Sequence, residues 1–276
     1  MGETPRLLAV FAHPDDETFG VGPALATWAA RGVETHLISA TRGERGWQGD
    51  PQDNPGPEAL GRHREGELRA AARELGVREV SFLGYLDGEL DRAEPVEATA
   101  ALVAHIRRIR PHVVVTFPPD GVYGHPDHIA ISQLTVGALL CAADAAFQDP
   151  GDRPPHRVAK LYFVVDTEES AAPWRAAIGD LTMEFDGEPR SWVLWPRWLV
   201  SARVDGTAQR EAVWRAFMCH ASQIPPLERL ELVFAPDAWP RWSVQSFYRA
   251  VSMVSGGRAV EDDLFEGLES GRLDER

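Results

Sequence analysis

Residues 6–16 read RLLAVFAHPDD, and this stretch indicates the fold of the chain. Its first part is a compact apolar run, Arg6–Ala12, and polar side chains follow at once. The pattern recurs where VVVTF, residues 113–117, is followed by YGHPDH, residues 123–128. A continuous apolar run rich in β-branched residues is typical of a strand buried in a parallel sheet. The sequence therefore predicts two such strands, each followed by a polar cluster.

Strand-like and helix-like segments alternate along the chain. Further strands are predicted at residues 33–40, 80–84, 160–166 and 198–204. Helices are predicted at residues 22–31, 64–75, 94–110, 129–146 and 207–220. This alternation indicates βαβ units and a mostly parallel sheet with helices on both faces, a three-layer α/β sandwich. Ligands of such sheets bind beyond the carboxyl ends of the strands, so we expect a metal site at that edge, where both polar clusters lie.

The 276 residues are expected to form one domain, because that length can bury a sizeable core. We predict a metal-binding α/β core over 1–147, a part at 158–256 that completes the fold and the substrate pocket, and an acidic, loosely packed tail at 257–276. Two segments are rich in Gly, Pro and Asp and are predicted to be loops: the long connector 41–61 and the linker 148–157.

The overall charge limits the partners. The chain carries 28 Lys and Arg against 42 Asp and Glu, a net charge of −14. Such a surface repels phosphate backbones, which argues against a nucleic-acid partner. No apolar run reaches the roughly 18 residues of a membrane span, and the start of the chain does not have the pattern of a signal peptide. We therefore expect a cytoplasmic protein without a membrane span.

The two polar clusters carry donors for a metal ion. His13 and Asp16 are three residues apart on a predicted turn, and so are His125 and His128. Alone, the first cluster is also explained by acidic residues that cap a helix. Taken together, the clusters offer His13, Asp16 and His128 as ligands and leave Asp15 and His125 free beside them. Two imidazoles and one carboxylate with an open position are typical of catalytic zinc, and a free carboxylate can take a proton from the activated water.

The motifs AHPDDE, residues 12–17, and GHPDH, residues 124–128, resemble the signatures of the LmbE-like, or PIG-L, family of zinc-dependent de-N-acetylases. That family includes deacetylases of N-acetylglucosaminyl-phosphatidylinositol, of mycothiol and bacillithiol precursors, and of chito-oligosaccharides. The resemblance covers about residues 6–140 and is faint afterwards. It implies a Rossmann-like fold, one Zn²⁺ per chain, and a small N-acetylated amino-sugar conjugate as substrate.

The resemblance also implies roles for individual residues. His13, Asp16 and His128 match the zinc ligands, and Asp15 matches the general base. His125 matches the position that stabilises the tetrahedral intermediate or protonates the leaving amine. Tyr123 matches a tyrosine that polarises the amide carbonyl; packing against the strand end is the alternative for Tyr123.

Further matches concern the substrate. The predicted substrate-binding residues are Arg64, Asp87, Glu44, Trp47 and His220, with Gln223 in the same late motif as His220. Each of Arg64, Asp87 and His220 also has a structural alternative: a surface ion pair with Glu65 or Glu67 for Arg64, the start of a turn for Asp87, and a favourable place at a helix carboxyl end for His220. Arg64 and Asp87 occur in mycothiol-type relatives, which favours a deacetylase of a thiol precursor.

The sequence thus predicts a hydrolase that removes an N-acetyl group from an N-acetylglucosamine-type substrate. Two alternatives stay open: an amidase of thiol conjugates with the same metal site, and a non-catalytic metal- or carbohydrate-binding protein. The metal can also be Fe²⁺ or another divalent ion, because two His and one Asp do not select strongly by ligand type. Relatives form multimers, so a homo-oligomer is expected, and the Trp-rich second half offers an interface.

Overall fold

The structure, a computed structural model, describes residues 3–149, 151–254, 257 and 259–268. Its strands are β1 (Arg6–Phe11), β2 (Glu34–Ser39), β3 (Glu79–Phe82), β4 (Val113–Thr116), β5 (Lys160–Val165), β6 (Thr182–Phe185), β7 (Glu188–Ser191), β8 (Ala202–Asp205) and β9 (Val244–Ser252). Its helices are α1 (Asp16–Ala30), α2 (Pro57–Glu74), α3 (Pro95–Ile109), the single turn α4 (Gly121–Gly124), α5 (Pro126–Ala143), α6 (Glu168–Ile178), α7 (Arg210–Cys219), α8 (Leu227–Val233) and α9 (Trp239–Ser243).

A mostly parallel seven-stranded sheet lies at the centre, which confirms the predicted α/β fold. The strand order is β3-β2-β1-β4-β5-β9-β8. The first five strands are parallel, and β9 and β8 extend the sheet in antiparallel pairing. Because parallel crossovers are right-handed, α1 and α2 flank one face while α3 and α5 flank the other. The contacts agree, since α7 packs on α1 and α2, and α3 packs on α5.

The predicted strands and helices of the first half are present, with corrections at the starts of α1 and α2. Helix α1 begins at Asp16, well before the predicted start at Gly22 and Pro23. Pro23, a residue that favours the first turn of a helix, lies inside α1 here. The first turn contains Asp16 and Glu17 instead, where the helix dipole favours acidic side chains. Helix α2 also begins earlier than predicted, at Pro57, so the loop is shorter than the predicted range 41–61.

The second half differs more from the prediction. The sequence predicts one strand over residues 198–204, but a short 3₁₀ helix, Arg197–Leu199, precedes β8. The hairpin of β6 and β7 and the long strand β9 are not among the predicted elements. Strand β9 pairs with both β5 and β8 and so extends the central sheet, whereas β6 and β7 form a separate two-stranded sheet.

The acidic tail is described at residue 257 and residues 259–268. There the predicted loose packing is wrong around Glu261 and Leu264, while positions such as Glu266 are exposed. Glu261 and Leu264 are buried, and the backbone of Glu261 is hydrogen-bonded to Ser201 and Arg203 beside β8. Residues 258 and 269–276 of this predicted tail lie outside the described residues. Within the described ranges, no helix has both the length and the hydropathy needed to cross a membrane.

Candidate active site

Two polar segments meet because β1 and β4 are neighbours in the sheet. The chain leaves β1 towards His13 and leaves β4 towards the loop that precedes α5, so both segments lie at the carboxyl edge. His128 Nε2 lies 3.2 Å from His13 Nδ1. Asp16 lies 3.6 Å from His13 Nδ1 through one carboxylate oxygen and 3.5 Å from His128 Nε2 through the other. The structure therefore brings together the three residues that the sequence singles out as metal ligands.

Backbone and ring contacts hold these side chains in place. Asp16 Oδ2 accepts the backbone N–H of His13 at 2.7 Å and that of Ala12 at 3.2 Å, which closes the turn. The ring of Phe117, at the end of the β4 segment, stacks on His128 with centroids 3.9 Å apart and planes 7° apart. The carboxylate and the imidazole are thus oriented by the fold itself.

The second nitrogen of His13 faces two further carboxylates. His13 Nε2 lies 3.1 Å from Asp87 Oδ1 and 3.2 Å from Asp127 Oδ2. Asp127 is fully buried and also accepts the backbone N–H groups of Gly88 at 2.7 Å and Leu90 at 3.1 Å. An imidazole whose Nε2–H donates to a carboxylate presents the lone pair of Nδ1 to a metal, an arrangement common at metal sites.

Asp127 is not among the residues predicted for the site. The sequence offered a signal, because Asp127 stands between the two histidines of the second motif. His13, His125 and Asp127 form a second group whose ligand atoms lie within 4.8 Å of one another. A neutral imidazole has a single lone pair, so His13 can ligate through only one nitrogen at a time. The two backbone N–H groups on Asp127 favour its role as a hydrogen-bond acceptor for His13.

The protonation states suit a divalent cation. Burial works against the charged form of Asp16, but His128 and His13 hold its pKa at about 2, so it is a carboxylate. Burial lowers the pKa of His128 to about 3, which leaves a neutral imidazole. Burial also disfavours a charge on His13, yet its contacts with Asp127, Asp16 and Asp87 raise its pKa well above the usual value. The protein thus favours positive charge at this point, and the N, N, O donor set fits a divalent metal.

Asp15 lies beside this group in a strained turn. Its φ of 101° is uncommon for a residue other than glycine, and its backbone N–H donates to Glu17 Oε2 at 3.1 Å. Arg64 Nη2 donates to Asp15 Oδ2 at 3.1 Å and to the carbonyl of Pro14 at 2.6 Å. Burial raises the pKa of the Asp15 carboxyl to about 7, against the opposing effect of the Arg64 charge. A carboxyl with such a pKa can both accept and return a proton near neutral pH.

Arg64 is held in a slot lined by glycine. Its Nη1 donates to the carbonyl of Gly43 at 2.8 Å, and a Cβ on Gly43 would lie 2.1 Å from the same nitrogen. Gly43 also has a φ of +67°, a conformation that L side chains rarely adopt. Arg64 is therefore buried against the turn of the first motif, which excludes the surface ion pair considered as its alternative.

His220 reaches the first motif from the second half of the chain. It is fully buried, and its Nε2 lies 2.7 Å from Glu17 Oε1. Glu17 in turn accepts the N–H of Asp15, so His220 is linked to the strained turn through one carboxylate. The hydrogen bonds of its side chain to described residues are with Glu17 and Thr18, which favours a positioning role over direct contact with substrate.

The other predicted substrate residues lie around the same edge. Glu44 is buried and accepts the backbone N–H of Asp87 at 3.3 Å. Asp87 accepts the backbone N–H of Arg45 at 3.0 Å through the oxygen that does not face His13. Trp47 is half-buried, with its indole N–H on the carbonyl of Asp50 at 2.8 Å. Gln223 donates to the carbonyl of Gly46 at 2.9 Å, which ties the late motif to this loop.

Tyr123 and His125 stand over the other side of the metal-ligand group. The His125 ring stacks on His128 at 4.7 Å, and the Tyr123 ring meets His128 edge-on at 5.2 Å. His125 Nδ1 accepts the backbone N–H of Asp127 at 3.1 Å, so the ring proton of the neutral form is on Nε2. Burial and the nearby His13 lower the pKa of His125 to about 4. Burial and the surrounding carboxylates raise the pKa of Tyr123, so the phenol remains a donor.

An aromatic side chain from the second half completes this side of the site. Phe185, at the end of β6, lies 4.8 Å from the His125 ring and 6.4 Å from the Tyr123 ring. It is not among the predicted residues, because the sequence around it has no motif that links it to the metal ligands.

Together these features define a class: an α/β protein with a His/Asp/His group able to hold a divalent metal at the carboxyl edge of its sheet. The profile of PIG-L (GlcNAc-PI de-N-acetylase) matches residues 8–139, which contain both motifs. The chain is also similar to two curated proteins named 1D-myo-inositol 2-acetamido-2-deoxy-alpha-D-glucopyranoside deacetylase. Identity to the protein of Kineococcus radiotolerans is 35%, over 95% of this chain and 83% of the relative. Identity to the protein of Rhodococcus jostii is 38%, over 95% of this chain and 98% of the relative.

This chain belongs to the PIG-L, or LmbE-like, family. Among solved structures, it resembles a conserved protein of Thermus thermophilus with a TM-score of 0.64 and 26% identity. That likeness covers 91% of this chain and 96% of the other. The likeness in sequence therefore extends through the second half, where the motifs alone gave only a faint resemblance.

Proposed function

We propose that this protein is a metal-dependent deacetylase that removes the acetyl group from 1D-myo-inositol 2-acetamido-2-deoxy-α-D-glucopyranoside. The observation that carries the proposal is the convergence of His13, Asp16 and His128 beside the carboxyl of Asp15, which lies outside that group. The names of the curated relatives supply the substrate, since their likeness covers nearly the whole chain. We propose Zn²⁺ as the metal, with Fe²⁺ as the alternative.

His13 Nδ1, His128 Nε2 and the carboxylate of Asp16 would hold the cation. When bound, a divalent metal polarises the amide carbonyl and lowers the pKa of water. Asp87 and Asp127 would keep the proton of His13 on Nε2, so that Nδ1 stays available as a ligand.

Asp15 is proposed to take the proton from the attacking water and to pass it to the leaving amine. Its side chain keeps 22% of its exposure, compared with 10% for Asp16, so solvent water can reach it. Its pKa of about 7 suits both transfers at neutral pH. Arg64 would keep Asp15 oriented and limit the build-up of negative charge in the strained turn.

Tyr123 and His125 are proposed to stabilise the oxyanion that develops on the acetyl carbonyl. A protonated phenol and a neutral imidazole with its proton on Nε2 are both hydrogen-bond donors. The low pKa of His125 supports this role over that of general acid, which requires a charged imidazole. Glu44, Asp87 and Trp47 remain proposed substrate contacts at the loop side of the site.

A direct test measures acetate and free amine released by protein that has been stripped with a chelator and reloaded with Zn²⁺ or Fe²⁺. The substrates are the inositol conjugate, N-acetylglucosamine and a chito-oligosaccharide. We expect release from the inositol conjugate, and we expect the chelated protein to be inactive. His128→Ala should lose turnover, and elemental analysis should show that it has also lost its bound metal.

A matched control is His36→Ala, since His36 is also a buried histidine but lies within β2. That variant should keep its metal and its turnover. Stoichiometric metal binding without release of amine from any of these substrates would contradict the proposal and would favour a non-catalytic metal-binding protein.

A further inference from the structure

A strained backbone turn precedes Tyr123 and His125. Val122 has a φ of 70° and a ψ of −54°, a conformation that is unfavourable for a β-branched residue. Such an outlier costs on the order of 1–3 kcal/mol and persists only where the surrounding structure fixes it. The contacts that hold Val122 therefore also determine where the next side chains, Tyr123 and His125, are placed.

Asp120 is the centre of these contacts. Its Oδ1 accepts the backbone N–H of Val122 at 2.8 Å. Its Oδ2 accepts the indole N–H of Trp195, also at 2.8 Å. Both carboxylate oxygens are thus in use, one on the strained turn and one on a residue that follows the hairpin of β6 and β7.

The same part of the chain binds the turn at two more points. The backbone N–H of Val193 donates to the carbonyl of Val122 at 2.6 Å. The guanidinium of Arg190, in β7, donates to the carbonyl of Gly124, also at 2.6 Å. Residues 190–195 therefore contact the turn on both sides of Tyr123.

We propose that Trp195 is a positioning residue, which acts through Asp120 to hold the Val122 turn and thereby keeps Tyr123 and His125 against the metal-ligand group. This inference rests on the proposed function for its catalytic consequence. It assigns to the second half of the chain a part in ordering the second motif.

Trp192 provides a matched control within the same segment. Its indole N–H also donates to a partly buried aspartate, Asp166 Oδ2, at 3.0 Å. Asp166 follows β5 and is bonded to Ser170 in α6. The hydrogen bonds of Asp166 to described residues do not involve residues 120–125, but its backbone carbonyl accepts the N–H of Trp195 at 2.7 Å. Trp192→Phe removes only the indole bond to the Asp166 side chain. It leaves in place the backbone bond between Trp195 and Asp166 and the bonds of Asp120.

The experiment compares Trp195→Phe, Trp192→Phe and Asp120→Asn with the wild type, all loaded with Zn²⁺. Phe keeps an aromatic ring against Tyr248 but removes the indole donor. Asn at position 120 keeps Trp195 intact but turns one acceptor into a donor. Hydrogen exchange of the peptide 118–128 is measured by mass spectrometry, together with bound metal, kcat and KM on the inositol conjugate.

We expect faster exchange in peptide 118–128 for Trp195→Phe and Asp120→Asn. Their kcat should fall about 10- to 100-fold, the size of effect that a misplacement of about 1 Å can have. KM and bound metal should stay within about twofold of the wild type, because the metal ligands and the loop side of the site are untouched. Trp192→Phe should match the wild type in all four measurements.

Wild-type exchange and turnover in both Trp195→Phe and Asp120→Asn would overturn the proposal, and so would equal changes in Trp192→Phe and Trp195→Phe. If the wild type releases no acetate but exchange still rises only in Trp195→Phe and Asp120→Asn, then Trp195 and Asp120 do order the Val122 turn, and the proposed function is wrong. The two failures are therefore distinguishable.

Discussion

Two buried clusters of charged side chains differ in how their charge is balanced. Around Glu261, Lys160 Nζ lies 2.8 Å and Arg249 Nη1 2.5 Å from the same carboxylate oxygen, and the Tyr162 hydroxyl donates to the other. Two cations and a phenol thus surround one carboxylate. This cluster fastens the segment after β9 to the sheet through groups that the chain itself supplies.

The cluster at the carboxyl edge of the sheet has an excess of acid instead. Its acidic residues are Asp15, Asp16, Glu17, Glu44, Asp87 and Asp127. Among the Lys and Arg side chains buried in the described part of the chain, which are Arg64, Arg107 and Lys160, only Arg64 lies at this edge. Burying unpaired charge is costly, so an excess of acid marks a place where the protein is built to receive positive charge. The comparison separates a cluster whose charges balance one another from one whose excess of acid would accept a cation.

The largest expected effect comes from removing an acid from the carboxyl-edge cluster. Asp15→Asn should lower kcat about 10²- to 10⁴-fold, because the amide cannot accept the proton from water. Bound metal should remain unchanged, since Asp15 is outside the His13, Asp16 and His128 group. Glu261→Gln, the matched change in the other cluster, should keep the turnover of its folded, metal-loaded fraction. Turnover of Asp15→Asn at the wild-type rate would show that Asp15 is not the base.

The second largest expected effect is a loss of stability when the Glu261 cluster is changed. Glu261→Gln leaves Lys160 buried without its counter-ion, and breaking such a pair costs about 3–5 kcal/mol. Urea denaturation would show this loss in the free energy of unfolding. Adding Lys160→Met should recover part of the loss, because the unpaired charge is then removed.

Glu266→Gln serves as the control for Glu261→Gln. Glu266 lies on the same segment but is exposed, so its change should stay within about 0.5 kcal/mol. Equal stabilities of the Glu261→Gln and Glu266→Gln variants would mean that the Glu261 cluster does not fasten the segment.

The site was more predictable from the sequence than the part of the chain that supports it. The segments of β1 and β4 are continuous apolar runs, and the polar residues after them mark the functional edge of a parallel sheet. The equal spacing in His13 to Asp16 and His125 to His128 therefore pointed to side chains that the structure brings together. The first motif also predicted a free carboxyl at Asp15.

The supporting contacts could not be predicted, because they depend on distant backbone. Asp127 is held by the amides of Gly88 and Leu90, about forty residues away in the chain. Trp195 contacts Asp120 across the sheet edge, and neither residue belongs to a motif. Likewise, Glu261 stands in an acidic stretch whose composition suggests solvent exposure, and only the neighbouring strands show why it is buried. Local patterns predict which groups do chemistry, while tertiary contacts decide what orients them.

The smallest expected effect is a pH dependence that only the acid-rich cluster should show. Burial raises the Asp15 pKa from an unfolded value near 4 to about 7, so the folded state binds the proton more tightly than the unfolded state. Stability from this group is present at about pH 4 and is lost as the pH rises through 7. Asp15→Asn lacks this titration. In metal-free protein, its free energy of unfolding relative to the wild type should therefore increase between pH 4 and 8.

A rise of about three pKa units corresponds to about 4 kcal/mol at about 1.4 kcal/mol per unit, and the partial hydration of the side chain reduces the expected increase to roughly 1–2 kcal/mol. Saturating Zn²⁺ should flatten the dependence, since a nearby cation favours the charged carboxylate. Glu261→Gln provides the contrast, because its difference from the wild type should respond little to Zn²⁺. Suppose that the free energy of unfolding of metal-free Asp15→Asn, relative to the wild type, stays constant from pH 4 to 8. The carboxyl-edge cluster would then not destabilise the charged form of Asp15, and only turnover would distinguish the two clusters.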